Sequence, residues 1–124
     1  MKIYNQYTKE LIIEVKNIKQ DLRNKDLQDA NLEGVDFSNA NLQCADFTNA
    51  NLQDANFLNA NLEGADFSRT NLRNVKFKCA KLIGVSFISA DCTNADFTNA
   101  NISFSDFSYA NLENTNFESC KKEK

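Results

Sequence analysis

The sequence predicts an all-β solenoid, a chain wound into stacked four-sided coils, and three regularities carry that prediction. Every fifth residue from Leu22 to Phe117 is Leu, Phe or Ile, with Cys92 the only exception among twenty positions. Two residues before these central positions, from Ala30 to Thr115, stand twelve Ala, three Val, two Thr and one Ser. From Leu32 onward, Phe occupies every second central position, and the positions between hold Leu, Cys92 or Ile102.

A five-residue step rotates a side chain by about 140° on a straight helix and changes face on a straight strand, so neither keeps these residues in one core. The backbone must bend once in every repeat. Residues two apart on an extended stretch point to the same side. The small residue and the large one therefore both face inward, and the next three residues turn a corner. Each pentapeptide is one side of a polygon. With four sides, Phe37, Phe57, Phe77, Phe97 and Phe117 form one column and Phe47, Phe67, Phe87 and Phe107 the opposite one, with the Leu positions on the faces between. A three-sided coil would set Phe over Leu and leave the alternation without a use. Corners cannot rely on Pro, which is absent, or on Gly, of which there are 3. Asn, with 19 copies, tolerates corner conformations that most residues avoid.

The pattern A-[DN]-[LF]-x-x, read as Ala40-Asn41-Leu42-Gln43-Cys44 and Ala45-Asp46-Phe47-Thr48-Asn49, resembles the pentapeptide-repeat family over about three quarters of the chain. That resemblance implies a right-handed quadrilateral β-helix with four pentapeptides per coil, hence about five coils over residues 22–118.

Residues 1–21 lie outside the frame and are expected to cap the first coil. Thr8 is placed to N-cap a short helix in which Leu11, Ile12, Val15 and Ile18 share one face, and a strand at "LIIEV" is the weaker alternative. After Phe117 only a charged tail, 119–124, remains. An end without a plug exposes core and backbone, so fraying, self-association or guarding by its lysines is expected there. Members of the topoisomerase-protecting type are similar in dimerising through C-terminal ends, which implies a homodimer through the C-terminal coils.

At 124 residues the chain suits one domain. Its formal charge of -3 is too mild to imply nucleic-acid binding. Cys44, Cys79, Cys92 and Cys120 make neither a disulfide framework nor a metal knuckle. With no secretory leader pattern and no run of membrane-spanning length, a cytoplasmic protein without membrane contact is expected. Asn101-Ile102-Ser103 then matches a glycosylation acceptor by accident.

Catalysis finds no constellation: His is absent, and no nucleophile, base or metal-ligand set stands out from the repeat. No cofactor is expected. Asp26, Asp46, Asp66 and Asp106 recur at multiples of twenty and form an acidic column, which reads as solvated residues that suit the slot. Cys92 reads as a small buried hydrophobe in a Leu position. A basic girdle, Arg69, Arg73, Lys76, Lys78 and Lys81, covers successive corners and balances acidic columns elsewhere. Outward positions are polar except Leu58, Ile83, Ile88, Phe104 and Tyr109. Four of these, Ile83, Ile88, Phe104 and Tyr109, cluster toward one end and are the interface candidates. The sequence thus predicts a non-catalytic interaction or scaffold module with an unidentified protein partner. The family resemblance supplies the alternative, a DNA-mimicking protector of a type II topoisomerase.

Overall fold

The computed structural model describes residues 1–15 and 21–124. Each pentapeptide forms one short extended stretch and one tight turn. In the repeat from Asp36, that residue pairs with the neighbouring coil, Phe37 points inward, and the Ala40 N–H closes a turn on the Phe37 carbonyl at 3.0 Å. The third residue of that turn, Asn39, has φ 62°. A positive φ at the third position alone marks a type II turn.

The same left-handed corner recurs at every fifth residue from Asn24 to Ser119, twenty in all, and eight of them are Asn with three Gly and two Asp. Asn abundance therefore does what Gly and Pro do in other turns: it supplies the conformation that L-residues resist. The Asp or Asn two residues before most second turn positions steadies the bend, its Oδ1 accepting that residue's N–H, as in Ser38 to Asp36 at 2.9 Å and Leu58 to Asn56 at 3.0 Å.

From Asp21 with Asn41 to Asn101 with Lys121, the coil bridges are parallel and join residues twenty apart. Four pentapeptides therefore complete one circuit, and the product is an all-β solenoid. Coils are held by ladders such as Phe57 N–H to the Lys76 carbonyl at 2.7 Å and Asn56 N–H to the Val35 carbonyl at 3.0 Å. The ladder runs past 118: Lys121 N–H donates to the Ala100 carbonyl and Phe104 N–H to that of Glu123. Cys120 accordingly stands in the small-residue slot, below Ala100, with its thiol directed at the Phe97 carbonyl 2.9 Å away.

Inside, like stacks on like. Phe rings in one column lie 4.6 to 5.4 Å apart and nearly parallel, matching the strand spacing of about 4.8 Å. The two columns meet edge to face across the core at 5.5 to 6.0 Å. Polar residues in the small slot keep their hydroxyls satisfied by donating one coil back, Thr70 to the Phe47 carbonyl and Thr115 to that of Cys92, both at 2.9 Å.

The N-terminal cap differs from the expected helix. Among the described residues there is no helix; Lys2–Tyr4 (β1) and Leu11–Glu14 (β2) form an antiparallel hairpin with a bulge. Ile12, Ile13 and Val15 are β-branched and favour extended chain, and only a strand can offer backbone partners to the edge of a coil. Asn5 bridges Ala30, Asn31 N–H donates to the Tyr4 carbonyl, and Gln6 N–H to that of Asp29. Ile3 and Val15 close the core from above. Thr8 caps no helix; its hydroxyl accepts the Glu10 N–H in the hairpin loop, at 3.2 Å. Ile18 lies outside the described residues.

Candidate functional site

The four apolar interface candidates fall on two adjacent corners of the rod near its C-terminal end. Ile83 and Ile88 occupy the second turn position of their repeats and are half-buried. Phe104 and Tyr109 occupy the third, left-handed position of theirs, one coil further on, each with φ 61°. Their rings project from the corners, 58% and 91% exposed. Phe104 succeeds Gly64 and Gly84 in its corner column, whose small residues leave its ring uncovered on that side.

Two costs coincide at these residues. A bulky side chain in the left-handed region costs about 1–2 kcal/mol, and an exposed ring recovers none of it by packing. Strain that intramolecular contacts do not repay is a pointer to function.

Beside them the core itself comes to the surface. Leu112 is 40% exposed, Phe107 and Phe117 are only partly covered, and a hollow of about 410 Å³ opens between Ile102, Phe107, Leu112, Phe117, Cys120 and Lys122. The last coil also leaves one edge of its ladder unused. The N–H groups of Phe107, Leu112 and Phe117, whose equivalents one coil earlier donate forward, have no acceptor among the described residues.

The acidic candidates do form a column: Asp26 bridges Asp46, Asp46 bridges Asp66, and Ser86 links Asp66 to Asp106. Their carboxylates are engaged in the turns they precede. Asp46 Oδ1 accepts the Thr48 N–H at 2.9 Å and the Thr48 hydroxyl at 2.5 Å, and Asp106 is served likewise by Ser108. The Ser108 hydroxyl, and then its backbone N–H, hold the Asp106 carboxyl below the usual carboxylate range. A carboxylate so held is a poor proton donor at neutral pH.

The basic girdle is not drawn into one site. Arg69 donates from Nε to Asn49 Oδ1 at 3.0 Å, Arg73 pairs with Asp91 at 3.3 Å, and Lys81 with Glu63 at 3.0 Å. Lys76 is bridged to Asn56 and Asp96 through the backbone, and the Lys78 carbonyl accepts the Asn59 N–H at 3.1 Å. Burial pushes the Asp91 carboxyl up, but the Thr93 hydroxyl and N–H and the Arg73 guanidinium outweigh it and leave it lowered.

Cys92 is fully buried, and burial, with Asp91 adding to it, pushes its thiol up to about 12. All four cysteines are free. Among the described residues no group of acidic or cysteine side chains is arranged to hold a metal, and no helix is long and apolar enough to cross a membrane.

A second apolar surface escaped the reading of the sequence. Tyr4, Tyr7 and Leu11 on the hairpin are 43%, 68% and 51% exposed, and Met1 beside them is 48% exposed. As a helix, this segment would have turned Leu11 inward; as a strand, it pairs Leu11 with Tyr4 on the outer side.

The model for pentapeptide repeats matches the chain in overlapping segments, 21–54, 40–78, 50–87 and 80–118. Among solved structures, a pentapeptide repeat protein of the Arabidopsis thaliana thylakoid lumen is 34% identical with a TM-score of 0.61. That alignment covers 70% of this chain and 64% of the other, so the chain spans just under two thirds of that protein's length. HetL, a pentapeptide repeat protein involved in heterocyst differentiation regulation in the cyanobacterium Nostoc sp. strain PCC 7120, is 25% identical with a TM-score of 0.50, over 82% of this chain and 46% of HetL. The trypsin-treated plasmid-mediated fluoroquinolone resistance protein QnrB1 is 17% identical with a TM-score of 0.37, over 80% of this chain and 63% of QnrB1. No curated protein sequence matches the chain significantly. With its repeats matched from 21 to 118 and a turn, ladder and core that recur with them, the chain belongs to the pentapeptide-repeat family.

Proposed function

We propose that this protein is a non-catalytic interaction module, a right-handed square rod of about five coils that works by presenting its C-terminal corners and open end to another protein surface. The observation that carries this reading is the pair Phe104 and Tyr109, exposed rings in a backbone conformation that disfavours them. The remaining recurring residues have structural duties: the central ones pack, the small ones leave room, and the Asp and Asn residues brace turns. Among the described residues, chemistry is left without a convergent set of groups. Self-association through the C-terminal coils, giving a homodimer, is the simplest use of the surface. Free thiols at all four cysteines suit a reducing compartment such as the cytoplasm. The topoisomerase-protector alternative gains nothing from the distant likeness to QnrB1.

Light scattering on the parent and on the Phe104→Ser, Tyr109→Ser double variant tests the reading. An associating parent should fall to the 14.0 kDa monomer in the variant. A variant that keeps the parent's mass, and captures the same partners from a native extract, would remove these residues from the interface.

A further inference from the structure

Among the described residues, the exposed large apolar side chains lie at the two ends of the rod: Met1, Tyr4, Tyr7 and Leu11 on the hairpin, and Phe104, Tyr109 and Leu112 on the final coils. Unused backbone edges lie there as well. In the hairpin, Met1 and Val15 exchange hydrogen bonds, so Ile3 faces Ile13 in the next bonded pair and Lys2 faces Glu14 in a non-bonded one. In an antiparallel ladder the backbone groups of a non-bonded pair point away from the partner strand. Glu14, and Leu11 opposite Tyr4, therefore direct N–H and C=O outward along the side of β2 that carries no strand partner among the described residues. The other side of the hairpin is already spent, since Tyr4 and Gln6 of the β1 arm bond to the first coil through Asn31 and Asp29.

We propose that the surface meeting the open C-terminal coil is the free β2 edge of a second copy, so that rods join head to tail. The proposal deepens the self-association reading and rests on it, replacing a pairing of two like ends by a pairing of unlike ones. Its mode is one the molecule already uses. The hairpin closes its own first coil by laying a strand along the coil edge and setting Ile3 and Val15 over the core. On a neighbour, β2 would offer the N–H groups of Phe107, Leu112 and Phe117 a strand partner, and Leu11 would bring apolar surface to the hollow around Leu112. Charge weighs against a pairing of like ends. Among the side chains of residues 1–15, Lys2 and Lys9 balance Glu10 and Glu14. Residues 105–124 carry Asp106, Glu113, Glu118 and Glu123 against Lys121, Lys122 and Lys124. The hairpin side chains are therefore net neutral and those of the final coils net negative by one. Two C-terminal ends facing each other would instead oppose like charge and leave both hairpins' apolar surfaces in water. A contact between unlike surfaces does not close within a pair, so further copies can add at each end.

Mixing separates the possibilities. Leu11→Lys and, independently, Glu14→Pro block the hairpin edge; Tyr109→Lys and, independently, Leu112→Lys block the tail. Leu11 and Tyr109 are exposed, and a proline at Glu14 removes only an outward N–H, so a misfolded variant of either kind has a replacement. By light scattering the parent should exceed twice 14.0 kDa as concentration rises. Each blocked variant alone should be monomeric, and a hairpin-blocked variant mixed with a tail-blocked one should form a one-to-one dimer. If hairpin-blocked variants keep the parent's mass while tail-blocked ones lose it, the head-to-tail pairing is wrong and association of like C-terminal ends stands. A parent that stays monomeric overturns both readings. Monomeric variants that fail to pair when mixed overturn the head-to-tail pairing alone.

Discussion

The ring of Phe47 lies on that of Phe67, twenty residues later, at 4.8 Å and 3° from parallel. That contact ties sequence period to packing, because only a circuit of twenty residues brings these two side chains together. Phe67 also stacks on Phe87 at 5.4 Å and meets Phe57 and Phe77 edge to face. Phe67→Ala would remove four ring contacts and leave a cavity in a dry core, with an expected cost of about 3–5 kcal/mol. Urea unfolding measures it. A loss below about 1 kcal/mol would mean that the column is not packed as described.

The small slot is set by the distance between walls. Ala60 is buried between the Phe57 turn and the coil beyond, its carbonyl accepting the Lys81 N–H at 2.9 Å. Ala60→Leu is expected to destabilise by about 1–3 kcal/mol through overpacking. Ala60→Ser should be milder, because Ser105, Thr70 and Thr115 show how a hydroxyl in this slot finds a carbonyl one coil back. The order Ala, Ser, Leu in unfolding midpoint is the expected result.

Corner strain predicts a gain. Tyr109 is 91% exposed and left-handed, so Tyr109→Asn removes strain and almost no packing. The isolated rod should become more stable by about 1 kcal/mol, while any assembly that uses the ring weakens. Thermal unfolding at a concentration low enough to keep the parent monomeric reads the first effect. No gain there would show that the corner carries no strain.

Cys92 makes stability depend on alkaline pH. Its thiol is raised to about 12 by burial in the folded chain, whereas an exposed thiol ionises near 8.5–9. The folded state therefore holds this proton after the unfolded state has lost it, and stability falls with rising pH between those two values, by about 1.4 kcal/mol per unit at most. Below that window the contribution is fully present. Cys92→Leu restores the residue type of Leu72 and Leu112 above and below it, and the parent-minus-variant difference in unfolding free energy should shrink or reverse with the same pH course. A difference flat from pH 8 to 11 would contradict the buried thiol.

The repeat itself was legible from residues 22 to 117, because inward side chains at a fixed step leave one solution for the backbone. The twenty-residue circuit followed from the alternation of Phe with Leu, and the stacked rings bear it out. Ends were harder to read. In "KELIIEVKNI" the apolar spacing fits a helical face, yet the edge of a coil needs backbone partners, and that tertiary demand makes Leu11–Glu14 a strand. The apolar frame stops at Phe117 and so points to a tail beyond it, although Cys120 keeps the small-slot spacing of Ala100 and continues the ladder. Of the candidate surface, sequence singled out Phe104 and Tyr109 as misfits in a polar slot. It did not reveal that the slot is left-handed, because many of its occupants are Asn, which serves equally well in ordinary turns.

The most direct test of the account is the coil register in solution. In isotope-labelled protein, nuclear Overhauser contacts between backbone protons of bridged residues should link positions twenty apart, Asn51 with Asn71 and Asn56 with Lys76, along the length of the rod. A three-sided winding would place those contacts fifteen residues apart, and either that spacing or the absence of sequential coil contacts would contradict the square solenoid on which the corners, columns and ends described here depend.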